Sequence, residues 1–539
     1  MSACRIRRPA VRRGLAVAIT TALLATAAAA CGGGGGGGGA GGASAGSARS
    51  PLVVATADGQ VRGKASGAVN DYLGIPYAAP PVGRLRWQPP QPPAPWHGIR
   101  AATRFAAHCP QAASPFGHAS LSEDCLFLNV FSPATHRGSG LPVMVWIHGG
   151  ALVSGESDDY NPSALVAHHV IVVTFNYRLG ALGFLAHPAL ADKPGGPSGD
   201  YGLMDQQAAL RWVQRNIRSF GGDPANVTIF GESAGGQSVL LQLVSPTAHG
   251  LFERAIAESG GYALGQDSLA SAESAGQAFA AKAGCASQTA QCLRSLPVAT
   301  ILADQDQTGA TIDIDGQVLT KSLKTALASG QFNRVPIIDG SNHDEWRLFV
   351  ALSTFEGQPV TAANYVTMIG TTLEVSSSIA GIIASQYPLS DYPSPALALS
   401  TVGTDAIFAC PTLLLDQSLA KYVPTYAYEF NDEHAPDSNL PSAGFPYGAM
   451  HTAELQYLFG LPGTSPSDFT SAQLHLAAAM RTAWTSFATT GVPSVTAGRS
   501  WPRFTTASQA MLSLIPPQPR PETNFSAEHH CAFWALGGD

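Results

Sequence analysis

A chain of 539 residues that is 45% hydrophobic and 12% charged has ample material for a large buried core, and this length suits either one large α/β unit or two to three average domains. Its formal net charge is −7, and no basic run follows the N-terminal segment. A nucleic-acid ligand is thereby excluded.

Residues 1–30 predict an export signal. Arg5, Arg7, Arg8, Arg12 and Arg13 precede an Ala-rich apolar run from Gly14 to Ala30, which is the order of a basic region, an apolar region and small residues at a cleavage site. Cys31 follows Ala28-Ala29-Ala30 and precedes eight glycines, Gly32–Gly39. That arrangement is similar to a bacterial lipoprotein site, with Ala28 where such sites usually carry Leu. The expectation is lipid anchoring at Cys31 or, failing that, plain secretion. Residues 31–50 read as a Gly-rich linker without side chains for a core, and 51–539 as a single catalytic domain. No later stretch looks long and apolar enough to span a bilayer.

Leaving aside Cys4 and Cys31, six cysteines remain: Cys109, Cys125, Cys285, Cys292, Cys410 and Cys531. An even number in an exported chain predicts three disulfides, for which sequence permits fifteen pairings. Neighbour pairing of the first four would close two short loops, and Cys410 with Cys531 would staple the C-terminus to the body. None belongs to a CxxC pair, so no zinc site is indicated.

From Leu52 onward strand and helix signals alternate. Val143-Met144-Val145-Trp146-Ile147 is a buried-strand run ending at Gly149-Gly150, and Val170–Phe175 is a second. A helix is predicted over Leu203–Ile217, with Leu210, Val213 and Ile217 on one face. Val227–Phe230, Ala255–Ala257, Val335–Ile338 and Tyr426–Phe430 continue the strand series, and Leu474–Phe487 is helical. Continuous apolar strands between amphipathic helices imply a mostly parallel sheet with helices on both faces. Ligands of such sheets bind beyond the carboxyl ends of the strands.

One of those ends carries Gly231-Glu232-Ser233-Ala234-Gly235, between the strand Val227–Phe230 and an apolar helix through Leu243. Strand, sharp turn, helix is the nucleophile elbow of the α/β-hydrolase fold, which lifts a serine hydroxyl out of the sheet. The second G-x-S-x-G, Gly42–Gly46, has no strand before it and is fortuitous. Serine needs a base and a group that orients the base, and in this fold the chain order is Ser, acid, His. Asp344 and Glu345 follow the strand Val335–Ile338, and His451 follows Tyr426–Phe430. Spacing alone does not choose between the two carboxylates, nor exclude His343 or His434 as the base.

The residues at this point resemble the type-B carboxylesterase family. Phe220–Gly235, read as FGGDPANVTIFGESAG, matches its nucleophile signature, and Glu123–Val130, EDCLFLNV, matches its second signature. Shorter matches are Leu73–Ala78, Asn176-Tyr177-Arg178, Tyr201–Gln206 and Trp501-Pro502, so the likeness spans nearly all of 52–534. The resemblance implies Glu345 as the acid, His451 as the base, and the backbone N–H groups of Gly150, Ala151 and Ala234 as oxyanion donors. It implies the pairings Cys109–Cys125, Cys285–Cys292 and Cys410–Cys531. Trp346 stands where the family commonly has Gly after the acid. His148 is expected to be structural.

These assignments imply ester hydrolysis through an acyl-enzyme on Ser233, with no cofactor and no metal. The same triad could serve amides, thioesters or acyl transfer. A non-catalytic, esterase-like adhesion protein is disfavoured by the presence of all three residues. Activity is expected to decline as His451 protonates near pH 6.5. Residues 110–124, between the first two cysteines, are few, polar and without Trp. A choline-stacking site and a long lipase-type lid are therefore not expected, and small to medium esters are the expected substrates.

Overall fold

Runs of β-branched and aromatic residues without polar alternation demand cover on both faces of a sheet, and such runs form the centre of this structure. The computed structural model describes residues 52–536, apart from 135–139, 194, 306–310, 438–439 and 497–498. The expected export segment, Cys31 and the linker to Ser50 lie outside the described residues.

Eleven strands make the main sheet: β1 (Lys64–Ser66), β2 (Val69–Pro76), β3 (Phe127–Pro133), β4 (Leu141–Ile147), β5 (Ile171–Phe175), β6 (Gly222–Glu232), β7 (Arg254–Glu258), β8 (Ile337–Asn342), β9 (Thr425–Phe430), β10 (Met511–Leu514) and β11 (Arg520–Glu522). Their spatial order is β11-β10-β9-β8-β7-β6-β4-β5-β3-β2-β1. From β10 across to β5 every pairing is parallel, whereas β3, β2 and β1 at one edge and β11 at the other run antiparallel to their neighbours. The antiparallel edges were not legible in the strand runs, because β1 and β11 are short, exposed and polar.

All seven residues of β4 are buried, and alternate ones enter different cores. Val143, Val145 and Ile147 join one apolar layer; Met144 and Trp146 join the other. The main helices are α1 (Tyr201–Asn216), α2 (Ala234–Val244), α3 (Arg347–Phe355), α4 (Pro395–Gly403), α5 (Cys410–Leu419) and α6 (Ser471–Thr490). Helix α4 packs in a separate apolar cluster with Val350 of α3, and the others contribute to the two layers. Leu210, Trp212 and Val213 of α1 and Val239, Leu240 and Leu243 of α2 pack into the first layer. Leu476, Met480, Trp484 and Phe487 of α6 pack into the second. Helix α6 extends beyond the predicted Leu474–Phe487 at both ends. Thr470 and Gln473 form a reciprocal capping box at its start, and left-handed Gly491 closes its end.

Between β8 and β9 the chain makes a helical excursion containing α3, α4 and α5, with a π-helical turn at residues 404–409 joining the last two. The continuous helical stretch Pro395–Leu419 is long and apolar enough to cross a membrane, contrary to the expectation that no such stretch follows the N-terminus. It is apolar because it is a core helix: 72% of its most apolar window is buried.

Disulfides join Cys109 to Cys125, Cys285 to Cys292 and Cys410 to Cys531. The last bridges a separation of 121 residues and fixes the terminal helix turn Cys531–Ala535 to α5. A long closed loop removes much entropy from the unfolded chain, so replacing both Cys410 and Cys531 by Ser is expected to cost roughly 2–5 kcal/mol. Denaturant unfolding of the full chain under non-reducing conditions checks this, and an unchanged midpoint would contradict it.

Candidate active site

Strand β6 ends at Glu232, and α2 starts at Ala234, leaving Ser233 alone to turn the chain. Ser233 has φ 56° and ψ −123°, a conformation that costs an ordinary residue of order 1–3 kcal/mol. The surroundings enforce it. A Cβ on Gly235 would lie 1.9 Å from the carbonyl oxygen of Ile147, and one on Gly231 would lie 2.5 Å from the same oxygen. Only glycine lets the helix start and the strand end come this close to β4. The Ser233 N–H is held by the Glu258 carbonyl at 2.8 Å.

His451 lies in a buried turn after β9 and meets this serine. Its Nε2 is 2.8 Å from Ser233 Oγ, and its Nδ1 is 2.6 Å from Glu345 Oε2. The other Glu345 oxygen accepts the Asn342 N–H at 2.8 Å, and the His451 N–H is donated to the Glu345 carbonyl at 3.3 Å. Glu345 is therefore anchored by the end of β8 and aimed at the imidazole. Asp344, the other candidate acid, faces elsewhere: it pairs with Arg347 at 2.7 Å and with His343 at 3.1 Å. His343 contacts Asp344 and Glu528, and His434 is exposed in a turn. Of the sequence candidates, Ser233, His451 and Glu345 are brought together and His343 and His434 are not.

The sequence reading missed two further acids. Glu232 Oε1 lies 3.2 Å from His451 Nε2, and Glu454 accepts from Asn342 Nδ2 at 2.5 Å. Burial pushes the Glu232 carboxyl up to about 8 against the pull of His451, and pushes Glu454 up to about 7. Burial also holds Glu258 well above the carboxylate range; it accepts from Trp484 Nε1 at 2.9 Å. For His451, burial favours the neutral ring, but the fields of Glu232 and Glu345 and the Glu345 hydrogen bond outweigh it. Its pKa rises to about 9. Glu232 could have been noticed, since it stands beside Ser233 in the elbow itself. Glu454 offered no local signal.

The turn after β4 lies against the nucleophile: a Cβ on Gly149 would be 3.1 Å from Ser233 Cβ. Gly150, Ala151 and Leu152 all have positive φ. His148 is fully buried, stacked on Tyr177 with centroids 4.4 Å apart, and bonded through Nδ1 to the Gly149 carbonyl at 2.9 Å. Burial lowers its pKa to about 4, so it is a neutral support for the turn. Ala234 opens α2, where N–H groups have no partner within the helix and the dipole favours an anion.

Aromatic rings flank the imidazole. Phe349 of α3 and Phe408 of the π-helical turn lie 5.2 and 5.0 Å from the His451 ring, centroid to centroid. Trp346 packs on Phe349 at 4.4 Å. Its bulk next to the acid is accommodated by Gly403, where a Cβ would lie 2.2 Å from the indole. Trp346 and the helix glycine Gly403 are one packing solution.

Comparison with known proteins gives the same direction as the geometry. Residues 50–534 match the model of the Carboxylesterase family. The fumonisin B1 esterase of Sphingopyxis macrogoltabida is 38% identical over 482 residues, covering 85% of this chain and 86% of that protein. The human cocaine esterase is 36% identical over 499 residues, covering 86% and 88%. The para-nitrobenzyl esterase of Bacillus subtilis is 34% identical over 487 residues, covering 86% and 94%.

The tight approach at the elbow is open to a direct test. Gly235→Ala places a methyl against the Ile147 carbonyl, and backbone cannot rotate away as a flexible side chain could. Overpacking of this kind is expected to destabilise the chain by about 1–3 kcal/mol or more. Urea titration measures it, and a wild-type midpoint would show that the elbow has room to spare.

Proposed function

This chain belongs to the carboxylesterase family and is a serine carboxylic-ester hydrolase of the α/β-hydrolase fold, and from that premise we propose that Ser233, His451 and Glu345 carry the reaction through an acyl-enzyme. The reading rests on one line of hydrogen bonds, Ser233 Oγ to His451 Nε2 at 2.8 Å and His451 Nδ1 to Glu345 Oε2 at 2.6 Å. In the proposed cycle His451 takes the Ser233 proton as Oγ attacks the ester carbonyl. The N–H groups of Gly150, Ala151 and Ala234 stabilise the oxyanion, each such donor being worth about 10²–10³ in rate. Collapse releases the alcohol with a proton from His451, and water repeats the sequence to free the acid. Glu345 holds the imidazole in one tautomer and stabilises its cation.

The substrate we favour is a small to medium ester with an apolar portion set against Phe349 and Phe408. Supporting this are the two rings beside His451 and the short polar segment 110–124. The relatives are named for quite different esters, so their names select none for this chain. Three disulfides suit an oxidising compartment, which supports export by residues 1–30, with Cys31 as the proposed lipid attachment point.

Three measurements test the assignment. Ser233→Ala is expected to lower kcat by about 10⁴-fold or more, and an organophosphate is expected to label Ser233 stoichiometrically in the wild type. Undiminished hydrolysis by the alanine variant, or a label mapped elsewhere, overturns it.

The pH profile is the third. His451 acts as base only when neutral, so kcat/KM should rise with pH across its titration in the free enzyme. The carboxylate fields lift that titration from 6.5 toward about 9, above the value expected from sequence. Glu232 takes up its own proton below about 8, so its field fades as the medium is acidified. The acid limb should therefore fall between 6.5 and 9, and Glu232→Gln should move it down. A wild-type limb at or below 6.5 would rule this account out.

A further inference from the structure

A second cluster of ionisable side chains lies outside the triad, where the loop closed by Cys109–Cys125 meets the segment following the Gly149-Gly150 turn. His108 Nδ1 lies 2.9 Å from Glu156 Oε2, and His118 Nδ1 contacts Glu156 Oε1. One ligand atom from each of His108, His118 and Glu156 lies within 4.8 Å of the other two. His108 Nε2 faces Asp158, 2.9 Å from Oδ1 and 3.1 Å from Oδ2. We propose that His108, His118 and Glu156 form a binding site for a zinc-class divalent transition-metal ion, with Asp158 orienting His108.

The donor set fits such an ion. Two imidazoles and one carboxylate suit zinc, whose sites with three protein ligands leave further positions to water, and imidazole nitrogen disfavours calcium or magnesium. A histidine ligand generally donates its other ring N–H to a carboxylate, which fixes the tautomer and raises its basicity. Asp158 stands in that relation to His108, leaving Nδ1 toward Glu156. Glu156 is held in place: its side chain is 1% exposed, and it accepts from the His118 backbone N–H at 3.0 Å and from Gln111 Nε2 at 3.4 Å. The His118 side chain is 76% exposed, so an ion reaches the site from solvent. The cluster His343, Glu429 and His529 differs in access. The His529 and Glu429 side chains are 3% and 0% exposed, and His529 bridges Asp405 at 2.7 Å and Glu429 at 2.6 Å inside the fold, a buried ion-pair network.

In the absence of an ion the same atoms make hydrogen-bonded pairs. Asp158 and Glu156 lift the His108 pKa to about 10, and Glu156 raises that of His118. Asp159 and neutral His148 are the other titratable groups facing the cluster. The ion must displace protons from the imidazoles, so its binding weakens as the medium is acidified. The ion ties the disulfide loop to the segment that carries the proposed oxyanion donors: Gln111 of the loop accepts the Gly155 N–H at 2.8 Å. No sequence spacing announces the site, because its ligands come from two separate loops.

The test uses the full chain stripped with EDTA and titrated calorimetrically with ZnCl₂, alongside metal counting after desalting. We expect one zinc per chain in the wild type and a rise in Tm of about 2 °C or more at saturation. His118→Ala and His118→Gln should each weaken binding about tenfold or more and abolish the Tm rise. Melting in EDTA shows whether each variant keeps its cooperative fold, and if Ala does not, Gln decides. Absence of zinc binding by the wild type overturns the site, as does unchanged binding in a folded His118 variant.

Discussion

Everything at the proposed centre depends on the contact between the Ile147 carbonyl and the backbone at Gly231 and Gly235. β4 and β6 are neighbours in register, so the end of one presses on the turn that ends the other. Because no side chain fits between them, Ser233 is the residue that must adopt the unfavourable backbone angles. Its hydroxyl is consequently thrust toward the turn bearing His451, and the helix that follows points its N-terminus at the same place. The strain is balanced by the burial of β4 and β6 in two apolar layers, which the surrounding helices supply.

The second organising feature is how negative charge is distributed around one imidazole. Glu232, Glu258, Glu345 and Glu454 are all buried within the same region. Desolvation drives Glu232, Glu258 and Glu454 toward their neutral forms, and such groups can donate or accept without a full charge. Glu345 differs in having a backbone N–H and the His451 ring as fixed partners. A set of buried acids can thus surround a base while one of them supplies most of its orientation.

Much of this architecture was legible before any coordinates. The parallel strands announced themselves because Val143–Ile147 is apolar throughout and Val170–Phe175 has only Thr174 as a polar residue, and the elbow because glycines flank a serine after such a strand. The short edge strands carried no comparable pattern, since Lys64–Ser66 and Arg520–Glu522 are set by pairing and not by burial. Spacing left Asp344 and Glu345 open and only the resemblance pointed to Glu345; the physical reason, capture of Asp344 by Arg347 and His343, is a fact of three dimensions. The Trp346–Gly403 contact joins residues nearly sixty positions apart, and the π-helical turn at 404–409 has no composition that distinguishes it from the α-helices on either side. Charge coupling between His451 and Glu232 was likewise hidden, although the two residues were both in view.

The helical excursion from the end of β8 to the start of β9 separates recognition from scaffolding. Adjacent parallel strands stay hydrogen-bonded whatever length of chain connects them, so residues 346–423, past the proposed acid Glu345, are free of sheet register. They nevertheless supply Phe349 and Phe408, the rings nearest the proposed base. Selection, natural or in the laboratory, therefore has a continuous segment, tied to the C-terminus at Cys410, in which to remodel the reception of a ligand with the elbow and its strands left untouched.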